Sequence, residues 1–465
     1  MPKEERLCSF LRRRSPLRFP TLETPTSAQH ESTIIKDRTL RANVRTARGP
    51  DVLYSVFQLL MDKAVQPFRL LNATLILPDR LIPGGALDVE GGRLTAVGRT
   101  EDLPRWSGAT LDANGDFVAP GFVDLHVHGG DNADFMDGTL DAFETVVRAH
   151  ARHGTTSIVA TSTVARHEQT LTFLENTRTR HRRGPEPTRG LSRTIGAHLY
   201  GPYFNEEKVG CHPKDPARPP TADEYDEYLE FADVMLTATC APELPGAAGF
   251  YRAASARGIR LNAGHSNATW AEMADAHALG VRHVDHFYCA MSSVSSLRER
   301  CGTPMQASML EFVLDHDDMT TEVIADGRHL SPELLRFVVK WKGAGKTALV
   351  TDCSRALDQP PGLYTFGPLD GGETFYSDGG VGLMPDSDNL ASSVRGMDFM
   401  VRHMHQRGGV DLSTAVRMAS LTPATILGLE RDFGSLEVGK RADVLVVNAQ
   451  LEIRRVFVGG EEVSL

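Results

Sequence analysis

The feature that most constrains the fold is a repeated alternation of apolar strands with amphipathic helices between residues 121 and 430. The strand-like stretches are VDLHVHG, TTSIVATST, RTIGAHLYGP, DVMLTATCAPE, IRLNAGHS, VRHVDHF, TTEVIADGRH and TALVTDC. Helical stretches such as DAFETVVRAHARHG and TWAEMADAHALG fall between them. Strands that alternate with helices form parallel βαβ units. About eight such units predict an α/β fold, a (β/α)₈ TIM-like barrel.

Short strands with glycine-rich turns flank this region on both sides. Residues 67–120 and 431–465 share that texture, which predicts a small β-sandwich domain formed by segments from both ends of the core. The barrel itself is expected to occupy residues 121–430.

The first 66 residues are a different kind of sequence. They carry 12 Lys and Arg against 7 Asp and Glu, and they are rich in Ser, Thr, Pro and Arg without sustained periodicity. We expect a disordered or loosely docked extension. The LRRR stretch at 11–14 leaves contact with nucleic acid or anionic lipid open, but a solvated tail is the favoured interpretation. We therefore predict no nucleic-acid and no membrane partner.

The rest of the composition points to a cytoplasmic location. No run of 18 apolar residues suggests a membrane-spanning helix, and the N-terminal stretch does not have the pattern of a signal peptide. The 6 cysteines include no CxxC pair, so a disulfide framework is not indicated.

The first strand ends on two histidines, His126 and His128. Residues i and i+2 of a strand share a face, so both imidazoles can point into the barrel mouth and bind one metal ion. An isolated HxH pair is more often structural than ligating. Its position at the entry to a barrel favours the ligand interpretation.

The other strands also end on polar groups. These are His265 in NAGHSNAT, His286 in VDHFYCAM, His329 in IADGRH and Asp352 in LVTDCS. Any one of them could be a buried structural residue or a helix cap. The C-terminal ends of barrel strands form a common rim where active sites are built, so together they predict a metal-dependent catalytic site with Asp352 as general base.

The motifs resemble those of the amidohydrolase superfamily and, within it, of the N-acetylglucosamine-6-phosphate deacetylase family. The resemblance covers residues 68–465 and rests on APGFVDLHVHG, GAHLYGPYFNEEKVGCHP, NAGHSNAT, VDHFYCAM, IADGRHLSPE, LVTDCS, NLASSV and the C-terminal stretch ASLTPATILGLERDFGSLEVGKRADVLVV. It implies a homodimeric, metal-dependent enzyme that hydrolyses the acetamide of a small N-acetyl amino sugar phosphate.

The resemblance also implies roles for individual residues. Metal ligands are expected at His126, His128, His265, His286 and Asp352. Asp352 is expected to activate water and then to protonate the leaving amine. Substrate contacts are implied for His329, His212, Arg298, Cys289 and Ala290. Zinc is the expected metal, with iron, cobalt and nickel as alternatives.

Two positions depart from the family pattern. Tyr200 stands where the family HLEGP motif has a metal-binding glutamate, and Cys289 stands where HxxNAM has a phosphate-contacting asparagine. A phenol is normally neutral, with a pKa of about 10. We therefore expect about one ion per chain, bound by His126, His128 and Asp352 with His265 or His286. Tyr200 either fills the mouth and hydrogen-bonds a neighbour or binds as phenolate.

Three functions remain open from sequence. The first is deacetylation of N-acetylglucosamine 6-phosphate to glucosamine 6-phosphate and acetate. The second is a divergent amidohydrolase that deacylates another N-acylated small molecule. The third is a non-catalytic binding protein with a degenerate metal site. Six ionisable groups kept at strand ends, His126, His128, His265, His286, His329 and Asp352, argue against the third.

Overall fold

The computed structural model describes residues 65–182, 191–385 and 389–464 of the chain. The predicted N-terminal extension, residues 1–66, lies almost entirely outside this part of the chain. The strands are β1 (Phe68–Ile76), β2 (Leu81–Glu90), β3 (Arg93–Arg99), β4 (Ala109–Asp112), β5 (Phe117–Pro120), β6 (Phe122–Val127), β7 (Gly129–Gly130), β8 (Ala133–Asp134), β9 (Thr155–Thr161), β10 (Arg193–Tyr200), β11 (Met235–Cys240), β12 (Arg260–Ala263), β13 (Val281–Val284), β14 (Thr320–Ile324), β15 (Thr347–Val350), β16 (Gly362–Phe366), β17 (Glu373–Ser377), β18 (Val381–Leu383), β19 (Leu390–Ser393), β20 (Val444–Val447), β21 (Ile453–Val458) and β22 (Glu461–Glu462).

The helices lie mostly between the barrel strands. They are α1 (Leu140–Arg152), α2 (His167–Arg182), α3 (Ala222–Leu229), α4 (Ala247–Ala256), α5 (Trp270–Ala278), α6 (Val294–Cys301), α7 (Met309–Asp315), α8 (Pro332–Lys342), α9 (Met397–Gln406), α10 (Leu412–Ala419) and α11 (Leu421–Leu427). Single 3₁₀ turns occur at Thr100–Asp102, Phe135–Asp137 and Glu206–Lys208. Within the described ranges, no helix is both long enough and apolar enough to span a lipid bilayer.

Eight parallel strands form the predicted barrel, which is confirmed. Their order is β6, β9, β10, β11, β12, β13, β14 and β15, so each strand pairs with the next one along the chain. All seven pairings are parallel. Because every strand runs the same way, all of their C-terminal residues meet at one mouth.

The barrel closes along a seam between its first and last strands. A parallel bridge joins Val127 to Cys353, and the amide of Asp352 donates to the carbonyl of His126 at 2.9 Å. Deeper in the seam, the hydroxyl of Thr351 donates to a carboxylate oxygen of Asp124 at 2.6 Å. The seam therefore fixes the strand that carries the HxH pair against the strand that ends at Asp352.

Helix α1 illustrates how the helices cover the barrel. Thr139 caps its N-terminus by accepting from the amide of Ala142 at 3.2 Å. Its apolar face, which includes Phe143, Val146 and Val147, is fully buried. The spacing of these residues at i, i+3 and i+4 puts them on one side of the helix, against the barrel.

Segments from both ends of the described chain form a second sheet, as predicted. It contains eight strands in the order β22, β21, β20, β5, β1, β2 and β3, with β4 paired to β1. The C-terminal strand β20 pairs antiparallel with β5, which leads directly into the barrel. This pairing joins the two ends of the chain next to the first barrel strand.

A four-stranded antiparallel sheet, β16–β19, was not anticipated from the sequence. It follows the last barrel strand and returns to the mouth, where Ser393 bridges to Cys353. The amide of Ser393 donates to the carbonyl of Asp352 at 3.0 Å. This insertion therefore forms one wall of the mouth beside Asp352.

Candidate metal and substrate site

A pocket of about 430 Å³ opens at the C-terminal mouth of the barrel. Asp352, His265, His286 and His329 line it, as expected for groups at strand ends. The HxH pair lies beneath it, with both rings at most 1% exposed. The pocket has the size of a small-molecule site.

His126, His128 and Asp352 form a buried triad at the floor of the mouth. Their candidate ligand atoms all lie within 4.8 Å of one another. Nε2 of His128 is 3.2 Å from Oδ1 of Asp352, and Nε2 of His126 is 3.7 Å from the same oxygen. Burial alone would raise the pKa of Asp352, but the neighbouring histidines outweigh it and hold that pKa well below its usual range.

His265 and His286 form a second convergent pair. Nδ1–H of His265 donates to the carbonyl of Lys208 at 2.7 Å, and Nδ1–H of His286 donates to the carbonyl of Cys289 at 3.1 Å. Each ring therefore presents the lone pair of Nε2, and these two atoms are 3.1 Å apart. Burial lowers the pKa of both rings, to about 4 for His286, so both are neutral near pH 7.

Tyr200 fills the space between these two groups of residues. It is 1% exposed, and its ring centroid lies 4.4 Å from that of His126. Its hydroxyl hydrogen-bonds Nε2 of His286 at 2.5 Å. Burial, followed by the charges of Asp285, Asp352 and Glu322, raises the pKa of Tyr200 well above its ordinary value. Tyr200 is therefore a neutral hydrogen-bond donor in this arrangement.

The donor set fits a divalent cation. Nε2 of His126 and Nδ1 of His128 are buried polar atoms with no hydrogen-bond partner among the described residues. An unpaired polar atom in a protein interior is costly. A cation beside Asp352 would satisfy the unpaired Nε2 of His126 and the carboxylate together, and His and Asp are ligands that zinc and related metals accept.

Two further histidines hold defined orientations in the mouth. Nδ1–H of His329 donates to Asp326 at 2.7 Å. Nδ1 of His212 accepts from the amide of Val164 at 3.2 Å, which makes its Nε2–H the donor. Both residues line the pocket. Burial opposes the charged form of His329, but Asp326 outweighs it and raises the pKa of His329.

The other predicted substrate contacts are divided. Cys289 and Ala290 line the pocket next to His286. Burial raises the pKa of the Cys289 thiol to about 12, so this position offers a neutral group. Arg298 is not among the described residues that line the pocket. It lies exposed on α6, where its guanidinium donates to the carbonyl of Gly302 at 3.4 Å.

Backbone conformation is unusual at several of these positions. His265, Asp352 and Ala290 have φ angles of 46°, 45° and 48°. Residues other than glycine rarely adopt this left-handed region, and such conformations cluster at functional sites. The chain thus bends just after β12 and β15, at His265 and Asp352, and again in the loop that carries Ala290, and all three residues line the pocket.

Another group of polar residues, not predicted from the sequence, lies deeper in the barrel. His283, Asp285 and Glu322 are all buried, and their candidate ligand atoms lie within 4.8 Å of one another. Protein groups already satisfy Asp285, which accepts from Asn262 at 2.8 Å and from Thr239 at 2.7 Å. Two features of the sequence could have indicated this group. One is the charged residue Glu322 inside the apolar strand TTEVI, and the other is the pair His283 and Asp285, two residues apart in VRHVD.

A parallel barrel whose C-terminal mouth gathers histidines and an aspartate is an architecture of metal-dependent hydrolases. The chain belongs to the amidohydrolase family, whose sequence profile matches residues 117–463. It is thus a hydrolase that acts on carbon–nitrogen bonds.

Individual relatives are similar over most of their length. N-acetylglucosamine-6-phosphate deacetylase of Vibrio furnissii is 33% identical over 344 residues, which is 74% of this chain and 82% of the relative. N-acetylgalactosamine-6-phosphate deacetylase of Escherichia coli O157:H7 is 30% identical over 357 residues, 77% of this chain and 90% of the relative. The crystal structure of N-acetylglucosamine-6-phosphate deacetylase from Pasteurella multocida gives a TM-score of 0.77 at 27% identity, covering 85% of this chain and 99% of that one.

Proposed function

We propose that this protein hydrolyses the acetamide of N-acetylglucosamine 6-phosphate, releasing glucosamine 6-phosphate and acetate. The observation that carries the proposal is the convergence of Asp352, His265, His286 and His329 on one pocket of about 430 Å³, with Asp352 also contacting His128 below it. Relatives at 33% and 30% identity that bear the names of 6-phosphate deacetylases support the same substrate class.

Asp352 is suited to move the proton in this reaction. Its neighbouring histidines keep it ionised at neutral pH, so it can accept a proton from the attacking water. It can then return the proton to the amine nitrogen as the carbon–nitrogen bond breaks. The hydroxyl of Ser392, 3.4 Å from Oδ1, donates to this carboxylate and helps to orient it.

His329 is suited to stabilise the substrate carbonyl. Its Nδ1–H is committed to Asp326, so Nε2 remains for the substrate. Asp326 favours the protonated ring, in which Nε2–H can donate to the oxygen that gains negative charge. His212, with Nε2–H as its donor, is suited to bind a sugar hydroxyl.

His126, His128 and Asp352 would hold a divalent cation, with His265 or His286 as an additional ligand. We propose zinc, with iron, cobalt and nickel as alternatives. When bound, such a cation lowers the pKa of water and polarises a carbonyl group.

Lysine and arginine side chains are scarce in the pocket that would receive an anionic substituent. Among the described residues that line it, Lys208 is the single Lys or Arg. Cys289, in the position of the family asparagine, is a weak hydrogen-bond partner for phosphate. We propose a homodimer in which the neighbouring subunit completes this end of the pocket.

We also propose a cytoplasmic location for the enzyme.

The test is acetate release from N-acetylglucosamine 6-phosphate, N-acetylgalactosamine 6-phosphate and unphosphorylated N-acetylglucosamine, with metal content measured on the same sample. We expect the 6-phosphosugars to be hydrolysed and N-acetylglucosamine to react much more slowly. A preference for phosphate-free substrates would favour the divergent amidohydrolase instead. Metal binding without turnover of any N-acyl substrate would favour a binding protein.

A further inference from the structure

A carboxylate lies inside the barrel, below the pocket and outside the ligand set. Glu322 is the third residue of β14 and is 1% exposed. Burying a charged group is costly unless several hydrogen bonds compensate it. Hydrogen-bond donors that face Glu322 from His126, His283 and His286 compensate the cost of burying its charge.

One oxygen of Glu322 contacts two of the candidate metal ligands. Oε1 accepts from Nδ1–H of His126 at 2.6 Å and from the backbone amide of His286 at 3.2 Å. Oε2 accepts instead from Nε2–H of His283, which is outside the ligand set, at 3.3 Å. A single carboxylate thus joins β6 to the residues that follow β13.

The contact with His126 determines which nitrogen faces the mouth. Because Nδ1 of His126 carries the hydrogen that it donates to Glu322, Nε2 presents its lone pair toward Asp352. His265 and His286 reach the same state through backbone carbonyls. Only His126, among these three, depends on a side chain, and outer hydrogen bonds of this kind orient metal ligands.

We propose that Glu322 is a positioning residue for the metal site, holding the ring of His126 and the backbone of His286 in one arrangement across the barrel. Glu322 also supplies a negative charge next to the metal site, whereas Tyr200, which is neutral, supplies no charge there. This inference rests on the proposed metal site and adds a residue that lies outside it.

The experiment compares cobalt(II) binding, visible absorption spectra and thermal unfolding in the full-length protein. Glu322→Leu keeps most of the side-chain volume but accepts no hydrogen bond. Glu322→Gln keeps an oxygen that can accept from both donors. His283→Leu is the matched control, since it removes a buried polar contact to Oε2 and leaves the Oε1 contacts in place.

We expect Glu322→Leu to weaken cobalt binding about 10- to 100-fold and to change the ligand-field spectrum. Glu322→Gln should recover most of the affinity and the parental spectrum. His283→Leu should lower the unfolding temperature without changing affinity or spectrum. Parental cobalt affinity in Glu322→Leu, or an equal loss of affinity in His283→Leu, would overturn the proposal.

These measurements separate this inference from the proposed function. A parent that binds cobalt through a Glu322-dependent site but releases no acetate would refute the substrate assignment alone. A parent that binds no divalent metal would overturn the positioning role.

Discussion

The hydroxyl of Tyr200 occupies the lone pair that His286 would offer to a metal ion, at an O–N distance of 2.5 Å. His286 cannot use its other nitrogen, because Nδ1–H donates to the carbonyl of Cys289. A metal ion and the Tyr200 hydroxyl therefore compete for the same atom. The Tyr200 hydroxyl therefore opposes metal binding through Nε2 of His286.

Replacing Tyr200 with Glu should tighten metal binding or add a second ion per chain. The carboxylate would supply a ligand where the neutral phenol supplies a proton, next to two Nε2 atoms that already converge. Metal content after dialysis, measured on the parent, Tyr200→Glu and Tyr200→Phe, checks this expectation. Tyr200→Phe is the matched control, since it frees His286 without adding a ligand. Equal metal content in the Glu variant and the parent would contradict the competition.

Replacing Asp352 with Asn should reduce turnover about 10²- to 10⁴-fold, since an amide cannot accept the proton of the attacking water. Metal binding should be largely retained, because His126, His128 and the other histidines remain. Steady-state kinetics and metal content measured on the same preparation test both parts. Ser392→Ala removes a 3.4 Å contact to Asp352 and should cost far less. Turnover within a few-fold of the parent in Asp352→Asn would refute the assigned base.

Replacing Cys289 with Asn should lower KM for the 6-phosphosugar about 10-fold while leaving kcat nearly unchanged. A hydrogen bond to a charged group contributes about 1.5–3 kcal/mol, and the neutral thiol supplies little of this. Cys289→Leu provides the control for size, since leucine is about as large as asparagine and donates no hydrogen bond. If Cys289→Asn acts equally on phosphorylated and unphosphorylated substrates, Cys289 does not face the phosphate.

His153 should make the stability of the protein pH-dependent. Burial alone would lower its pKa, but hydrogen bonds to Asp358 at 3.0 Å and Asp398 at 2.9 Å outweigh this and raise it to about 9. Stabilisation by a raised pKa is complete below the unfolded value of about 6.5 and is lost as pH rises toward 9. It corresponds to about 3.5 kcal/mol at most, from about 1.4 kcal/mol per pKa unit.

Chemical unfolding of the parent and of His153→Gln at several pH values measures this contribution. The difference in unfolding free energy should be largest near pH 6 and should vanish by about pH 10. A difference that does not change with pH would show that the ring acts through packing alone.

The barrel and the residues at its C-terminal mouth were predictable because both follow from local sequence patterns. The alternation of strands and helices determines the fold class, and polar residues at strand ends identify the mouth. The role of Glu322 was not predictable, since its partner His126 is 196 positions away and only the closed barrel brings them together. Arg298 was predicted from a short motif to contact the substrate. The motif gives its position in the chain but not the orientation of helix α6, on which Arg298 lies exposed.

The seam of the barrel also has a consequence for biosynthesis. The HxH pair and Asp352 lie on opposite sides of it, and Asp124 and Thr351, which bind each other there, are 227 positions apart. A growing chain therefore displays both histidines long before it can enclose a metal ion with them. A polypeptide that ends before residue 352 lacks Asp352 and therefore one member of the buried triad.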